Sequence, residues 1–163
     1  MPIALYRIDD RLIHGQVVVG WGQPLDLGFI VLVDDVVAEA DWEQELYRLG
    51  VPPSMDVYFV SVVDAPLEIE KRSRDNRNGM VLTGTVDAML ALARHVNLAI
   101  PSVNIGGIHH REDRTQRMRY VFLNAAEEQA LRQIAALGVS VTAQDVPSAS
   151  GKSLDELLRG CNP

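Results

Sequence analysis

Between Arg7 and Gln16 the chain reads RIDDRLIHGQ, which sets two arginines, two aspartates, a histidine and a glycine side by side. A neutral imidazole is a competent nucleophile, and a ring that carries a phosphoryl group on one nitrogen needs the other nitrogen held. Asp9 or Asp10 can provide that hold for His14. Arg7 and Arg11 can bracket phosphoryl oxygens, because a planar guanidinium matches their geometry. Gly15 leaves the backbone bare beside the ring. It leads into GQVVVGW, which reads as the start of a helix, and the N–H groups of a helix tip favour an anion. Phosphoryl transfer asks a protein mainly for positioning and charge, so this set suffices without a metal or other cofactor when the donor is itself a phosphohistidine.

A second polar stretch, VNIGGIHHRE over 103–112, brings Asn104, Gly106 and Gly107 together. The paired glycines suit a tight turn or a backbone nest for anionic oxygens. His109 and His110 are neighbours in sequence and point apart on any regular element, which makes them a poor chelating pair. The arginine-rich run HHREDRTQRMR reads as a solvated or partner-facing surface, suited to an acidic partner. Two other motifs carry nothing. PSASGKS lacks the full phosphate-loop spacing, and GWG at 20–22 is not a dinucleotide fingerprint. Trp21 is expected to pack against or shield the His14 site.

These residues need elements to hold them. Short apolar runs at 3–8, 28–33, 56–62, 80–84, 98–105, 119–123 and 139–144 read as strands, several of them apolar throughout, as in a sheet covered on both faces. Helical patterns lie between them at 38–49, 85–96 and 124–137. The first shows Trp42, Leu46 and Leu49 at i, i+4, i+7. Thr85 and Asn124 are N-cap candidates, and Gly138 stands just past the last pattern. Strands alternating with helices predict an α/β fold: one domain over residues 1–163, with an open, mostly parallel sheet of about seven strands and helices on both faces. Ligands of such sheets gather at the carboxyl ends of the strands. Arg7–Gln16, Asp34-Asp35, Ser61, Thr83-Gly84-Thr85 and Asn104–Gly107 should therefore share one rim.

A chain of 163 residues with a net charge of −7 does not suit nucleic acid or an anionic membrane surface. No stretch approaches the roughly 20 apolar residues of a membrane helix, and the opening lacks the pattern of a signal peptide. Cys161, the single cysteine, has no internal disulfide partner. These features predict a cytoplasmic protein.

The stretch RIDDRLIHGQVVVGW resembles the opening of enzyme IIB subunits of the mannose/fructose/sorbose family of the bacterial sugar phosphotransferase system (PTS). The resemblance continues through VLVDDVVA, VPPSMDV, SVNIGG followed by RTQ, and VSVTAQDVPS. It implies a phosphohistidine relay. A phospho-IIA protein donates to the IIB histidine, which passes the group to a sugar carried by membrane IIC and IID proteins, with IIB peripherally associated with that permease. The family's histidine falls on His14, and its motif on Arg7, Asp9, Asp10, Arg11, Gly15 and Gln16. The Asn-x-Gly-Gly loop falls on Asn104, Gly106 and Gly107. A homodimer is compatible with this assignment. Gly22-Gln23 replaces a frequent lysine and Gly84-Thr85 the usual Asn-Pro, and adjacent histidines such as His109-His110 are not something the family's chemistry generally requires. The alternative expectation is a regulatory protein that is phosphorylated but has no transport role.

Overall fold

The computed structural model describes residues 3–159; Cys161 lies outside them. Among these residues the principal sheet has seven strands, β1 (Ile3–Ile8), β2 (Leu27–Val33), β3 (Asp56–Val60), β4 (Asn78–Thr83), β5 (Ser102–Ile105), β8 (Ser140–Ala143) and β9 (Lys152–Ser153). Their order is β3-β2-β4-β1-β5-β8-β9, parallel throughout except for β9, which runs antiparallel to β8. The expected α/β class, parallel sheet and strand number hold. The membership differs. The run at 119–123 supplies β7 (Val121–Leu123), which pairs with β6 (Thr115–Met118) in a separate antiparallel ribbon, and the short β9 takes the seventh place instead.

Successive side chains of a strand point to opposite faces, and here each face has its own core. Tyr6, Ile8, Phe29, Val31, Val33 and Val81 pack beneath α3 (Ala65–Arg72), α4 (Val86–Ala93), α5 (Ala125–Ala136) and α6 (Leu154–Arg159). Ile30, Leu32, Met80 and Leu82 pack on the other side, against Val17, Val18 and Trp21 of a π-type helical turn (Gln16–Trp21) and Val37 of α1 (Asp35–Ala38). The continuously apolar sequence of β2 is the consequence, each fully buried side chain contributing about 1.5–3 kcal/mol.

The caps read from the sequence are in place. The Thr85 side chain accepts the Ala88 N–H at 3.1 Å. Asn124 and Glu127 form a reciprocal capping box at the start of α5, with bonds of 2.7 and 2.9 Å. Gly138 takes the left-handed φ of +90° that a residue following a helix commonly adopts.

One apolar stripe stays outside both cores. Trp42, Leu46 and Leu49 lie on α2 (Asp41–Leu49) as the periodicity predicts, but all three point to solvent, and Leu49 is 83% exposed. The helix is moored from another side, through Tyr47 against the core and through Gln44 Nε2, which donates to the carbonyls of Val37 and Ala38. Periodicity shows that a helix has an apolar face; it does not show whether the sheet reaches that face. The sequence also gave no signal for α3, whose apolar positions are few and whose N-cap Asp64 makes no side-chain bond.

Strand β1 lies between β4 and β5, where the chain, having built the sheet in one direction, turns to build it in the other. The hydrogen-bond ladder of β1 continues past its last residue. Asp9 N–H donates to the Thr83 carbonyl at 2.9 Å, Asp10 N–H to the Gly107 carbonyl at 2.9 Å, and Gly106 N–H to the Ile8 carbonyl at 2.7 Å. The carboxyl rim at this reversal in strand order is thereby held by backbone bonds from both neighbours.

A candidate phosphoryl-transfer site at the end of the first strand

Arg7 and Asp9 are two residues apart on an extended strand and share a face. The parallel register sets Asn104 directly beside Arg7. Arg7 is completely buried. It donates to the Asn104 side-chain oxygen and to the carbonyls of Gln144 (2.9 Å) and Asp145 (3.0 Å), and lies 3.6 Å from Asp9 Oδ2. Its Nε has no hydrogen-bond partner among the described residues, and the indole of Trp21 covers the guanidinium at 4.8 Å. Trp21 is itself fixed by a 2.9 Å bond from Nε1 to the Asp145 carbonyl. Burial pushes the Arg7 guanidinium below its usual value, with Asp9 opposing. The expectation that Arg7 brackets a phosphate is corrected: the side chain is completely buried, and both of its Nη groups are bonded or paired inside the protein. Asn104 belongs to the same inner layer, its amide nitrogen 3.5 Å from Gln144 Oε1.

Asp9 is the hub. Its Oδ2 lies 3.2 Å from His14 Nε2, and its Oδ1 accepts both the Arg11 backbone N–H (3.2 Å) and Arg11 Nε (3.3 Å). Burial pushes the Asp9 carboxyl up, but hydrogen bonds from His14 and Arg11 outweigh it and bring it to about 2. Asp9 therefore stays a carboxylate and takes a proton on Nε2 as its hydrogen-bond donor. The other ring nitrogen, Nδ1, has no partner among the described residues.

The chain reaches this arrangement through a tight reversal. Leu12 N–H donates to the Asp9 carbonyl at 3.0 Å, and Leu12 adopts φ +60°, a left-handed conformation costly for a residue with a Cβ. Its side chain is buried in the second core, which holds the strained turn and swings His14 back over Asp9. The helix expected after Gly15 is only the six-residue π-type turn, so few peptide dipoles add at its tip. The positive charge near His14 comes from Arg11, which is 37% exposed and also donates to Gln16 Oε1 at 2.7 Å. Space for a ligand lies beside Gly15, where an added Cβ would meet nothing within 4 Å.

Gly106 and Gly107 serve a different purpose from the one expected. Neither has a positive φ, so they do not form the alternating nest that cradles anions. A Cβ on Gly106 would stand 2.4 Å from Arg7 Nη2 and 2.7 Å from Asp9 Oδ2, and one on Gly107 would stand 3.4 Å from Arg11 Nε. These glycines let the charged cluster lie against bare backbone. Among the described residues no group of three or more His, Cys, Asp or Glu side chains is arranged to hold a metal ion.

Residues 3–162 match the family model described as the PTS system sorbose subfamily IIB component. The chain belongs to that family. It is 32% identical over 148 residues to the sorbose-specific EIIB component of Klebsiella pneumoniae, covering 91% of this chain and 90% of the relative. It is 30% identical over 146 residues to the N-acetylgalactosamine-specific phosphotransferase enzyme IIB component 1 of Escherichia coli K12, covering 89% and 91%. The crystal structure of the IIBSor domain of the Klebsiella pneumoniae sorbose permease superposes with a TM-score of 0.89 at 29% identity, covering 99% of both chains. As a IIB component of the phosphotransferase system the protein is a phosphotransferase, a phosphoryl carrier in sugar transport. Family membership implies IIA and IIC/IID partners and a sugar. None of its described helices is long and apolar enough to cross a membrane.

Within this IIB chain the structure separates the two adjacent aspartates. Asp10 turns away from His14 and holds His109 instead, accepting its backbone N–H at 2.8 Å and facing its Nδ1 at 2.5 Å. His109, read from sequence as part of a solvated surface, thus belongs to the rim of the site. It shares a cleft of about 670 Å³ with Arg11, Gln16, Gly107, Arg119 and Tyr120. The long-range pairing of Asp10 with a residue 99 positions away left no local signal. Much of the basic run is neutralised: Arg114 pairs with Glu127 and Arg117 with Glu128, each at 2.6 Å.

Proposed function

We propose that His14 is the phosphorylated residue of this IIB component, accepting the group on Nδ1 from a phospho-IIA protein and passing it to a sugar held by membrane IIC and IID partners. The observation that carries this reading is the Asp9 carboxylate on Nε2, which fixes the tautomer that leaves a lone pair on Nδ1. In loading, that lone pair attacks phosphorus, the N–P bond of the donor breaks, and the ring becomes cationic on a carboxylate already placed to stabilise it. Arg11, the least buried cation of the cluster, meets the phosphoryl oxygens, with Gln16 fixing its fork. Arg7, itself bonded to Asn104, backs Asp9 from behind, Gly106 and Gly107 allow that approach, and Gly15 leaves the phosphoryl group its space.

The reading takes residues 1–163 as one IIB domain working in the cytoplasm and peripherally associated with the permease. Relatives named for sorbose, N-acetylgalactosamine and mannose define the sugars to try first. Incubation with phosphoenolpyruvate, the general phosphotransferase proteins and IIA should add a single acid-labile phosphate at His14 Nδ1, located by phosphosite mapping and NMR. Label on His109 or His110, or label retained by a folded His14→Ala variant, overturns the assignment.

A further inference from the structure

A second imidazole stands on the same rim with a carboxylate of its own. Asp10 grips His109 twice, through the backbone N–H at 2.8 Å and Nδ1 at 2.5 Å. Asp10 is tied to the same loop by the bond from its own N–H to the Gly107 carbonyl. From the other side, Arg114 Nη1 donates to the His109 carbonyl at 2.9 Å, and Glu127 holds Arg114 with bonds of 2.9 and 2.6 Å. The His109 side chain is 65% exposed, yet its position is set by three other residues. A carboxylate can only accept, so Nδ1 carries the ring proton and Nε2 carries a lone pair. No described side chain takes that lone pair.

The surroundings suit a hydroxylated ligand. The cleft that His109 lines also contains Arg11 and Gln16, which hold each other at 2.7 Å. Arg11 in turn bonds Asp9, the residue that holds His14. The cleft and the phosphohistidine site therefore share a wall. Arg119, which has no acidic partner among the described residues, adds a second cation, and Tyr120 and Phe122 add aromatic surface. Cations for a phosphoryl group, a polar rim and aromatic faces together match a sugar ring meeting a phosphoryl donor.

We propose that His109, oriented by Asp10, is a further catalytic residue for the sugar-directed half of the reaction, its Nε2 taking the proton of the acceptor hydroxyl. This rests on His14 being the phosphohistidine. The two half-reactions differ in their proton balance. Loading moves phosphorus from one imidazole nitrogen to another, and no hydroxyl proton is released. In the second step the acceptor oxygen forms the O–P bond, the His14 N–P bond breaks with its electron pair returning to Nδ1, and the hydroxyl proton must leave. His109 Nε2 accepts it, the resulting imidazolium is stabilised by Asp10, and the proton passes to solvent. A positioned base of this kind contributes on the order of 10²–10⁴-fold.

The test uses the full chain with phospho-IIA, membranes carrying its IIC and IID partners, and whichever of sorbose, N-acetylgalactosamine and mannose the wild type phosphorylates. In His109→Gln the rate of transfer to sugar, taken relative to the rate of loading His14, should fall about 100-fold. His109→Ala should show the same fall, partly restored by imidazole in the buffer, which an exposed site admits and a purely structural defect does not answer. Asp10→Asn should lower the ratio about tenfold by releasing the ring. An unchanged ratio in His109→Gln, or an equal loss of both rates with no imidazole rescue, overturns the proposal while His14 remains labelled. A wild-type chain without label on His14 overturns the phosphohistidine reading, and this proposal with it.

Discussion

Asp9 Oδ2 lies 3.2 Å from His14 Nε2 and 3.6 Å from Arg7 Nη2, so one buried carboxylate oxygen faces both the ring proposed to carry phosphate and a fully buried guanidinium. Hydrogen bonds from His14 and Arg11 keep Asp9 anionic away from water, with Arg7 standing behind it. Asp9 in turn sets the tautomer of His14.

The acid dependence of stability follows from this pair. The Asp9 carboxyl falls from an ordinary 3.8 to about 2, so between those values the unfolded chain binds the proton more readily than the folded one. Its contribution, on the order of 2 kcal/mol, is fully present above the unfolded value and is lost as pH falls toward 2. Urea denaturation of wild type and Asp9→Asn between pH 5 and pH 2 should show the difference in stability shrinking over that window. The same variant, assayed at neutral pH, should load phosphate on the order of 10²-fold more slowly or worse, because its amide no longer imposes one tautomer.

Removing the guanidinium should cost folding before it costs chemistry. Arg7→Met removes one of the two guanidiniums beside the buried Asp9 and leaves the Asn104, Gln144 and Asp145 acceptors without their shared donor. The expected loss is about 3–5 kcal/mol, which lowers Tm by on the order of 10 °C. A Tm unchanged from wild type would show that the cluster tolerates an empty centre.

Two glycines should respond in opposite ways. Gly106→Ala drives a Cβ into Arg7 and Asp9, both completely buried, and should reduce stability and loading together. Gly15→Ala meets nothing and has a helical backbone, φ −53° and ψ −42°, so it should fold at least as well as wild type. If the space beside it receives the phosphoryl group, loading should nevertheless slow, and thermal melts paired with loading rates separate the two cases.

Arg11→Lys tests whether a fork or only a charge is needed. The side chain is substantially exposed, so Tm should move by less than about 1 kcal/mol in equivalent stability. Loading should slow about tenfold or more, because an ammonium cannot bond Asp9, Gln16 and a phosphoryl oxygen with the same geometry. A wild-type rate would make Arg11 a structural partner of Asp9 alone.

Sequence alone established the local and periodic features. Strands alternating with helices gave the parallel α/β sheet, and Thr85 and Asn124 announced their caps, because these depend on residues within a turn or two of each other. The pattern of RIDDRLIHGQ was enough to single out His14. Tertiary structure decided what each neighbour of His14 does. The register of β1 against β5 put Asn104 beside Arg7 and drew that arginine inward, away from the ligand it was expected to meet. The turn at Leu12 gave His14 to Asp9, while a loop nearly a hundred residues away claimed Asp10 for His109. Which face of α2 met the sheet was settled in the same way, leaving Trp42 in solvent. The reason is common to all of these. Carboxylates and guanidiniums pair with whatever the packed backbone brings within about 3 Å, and that proximity is a property of the assembled sheet that sequence spacing does not encode.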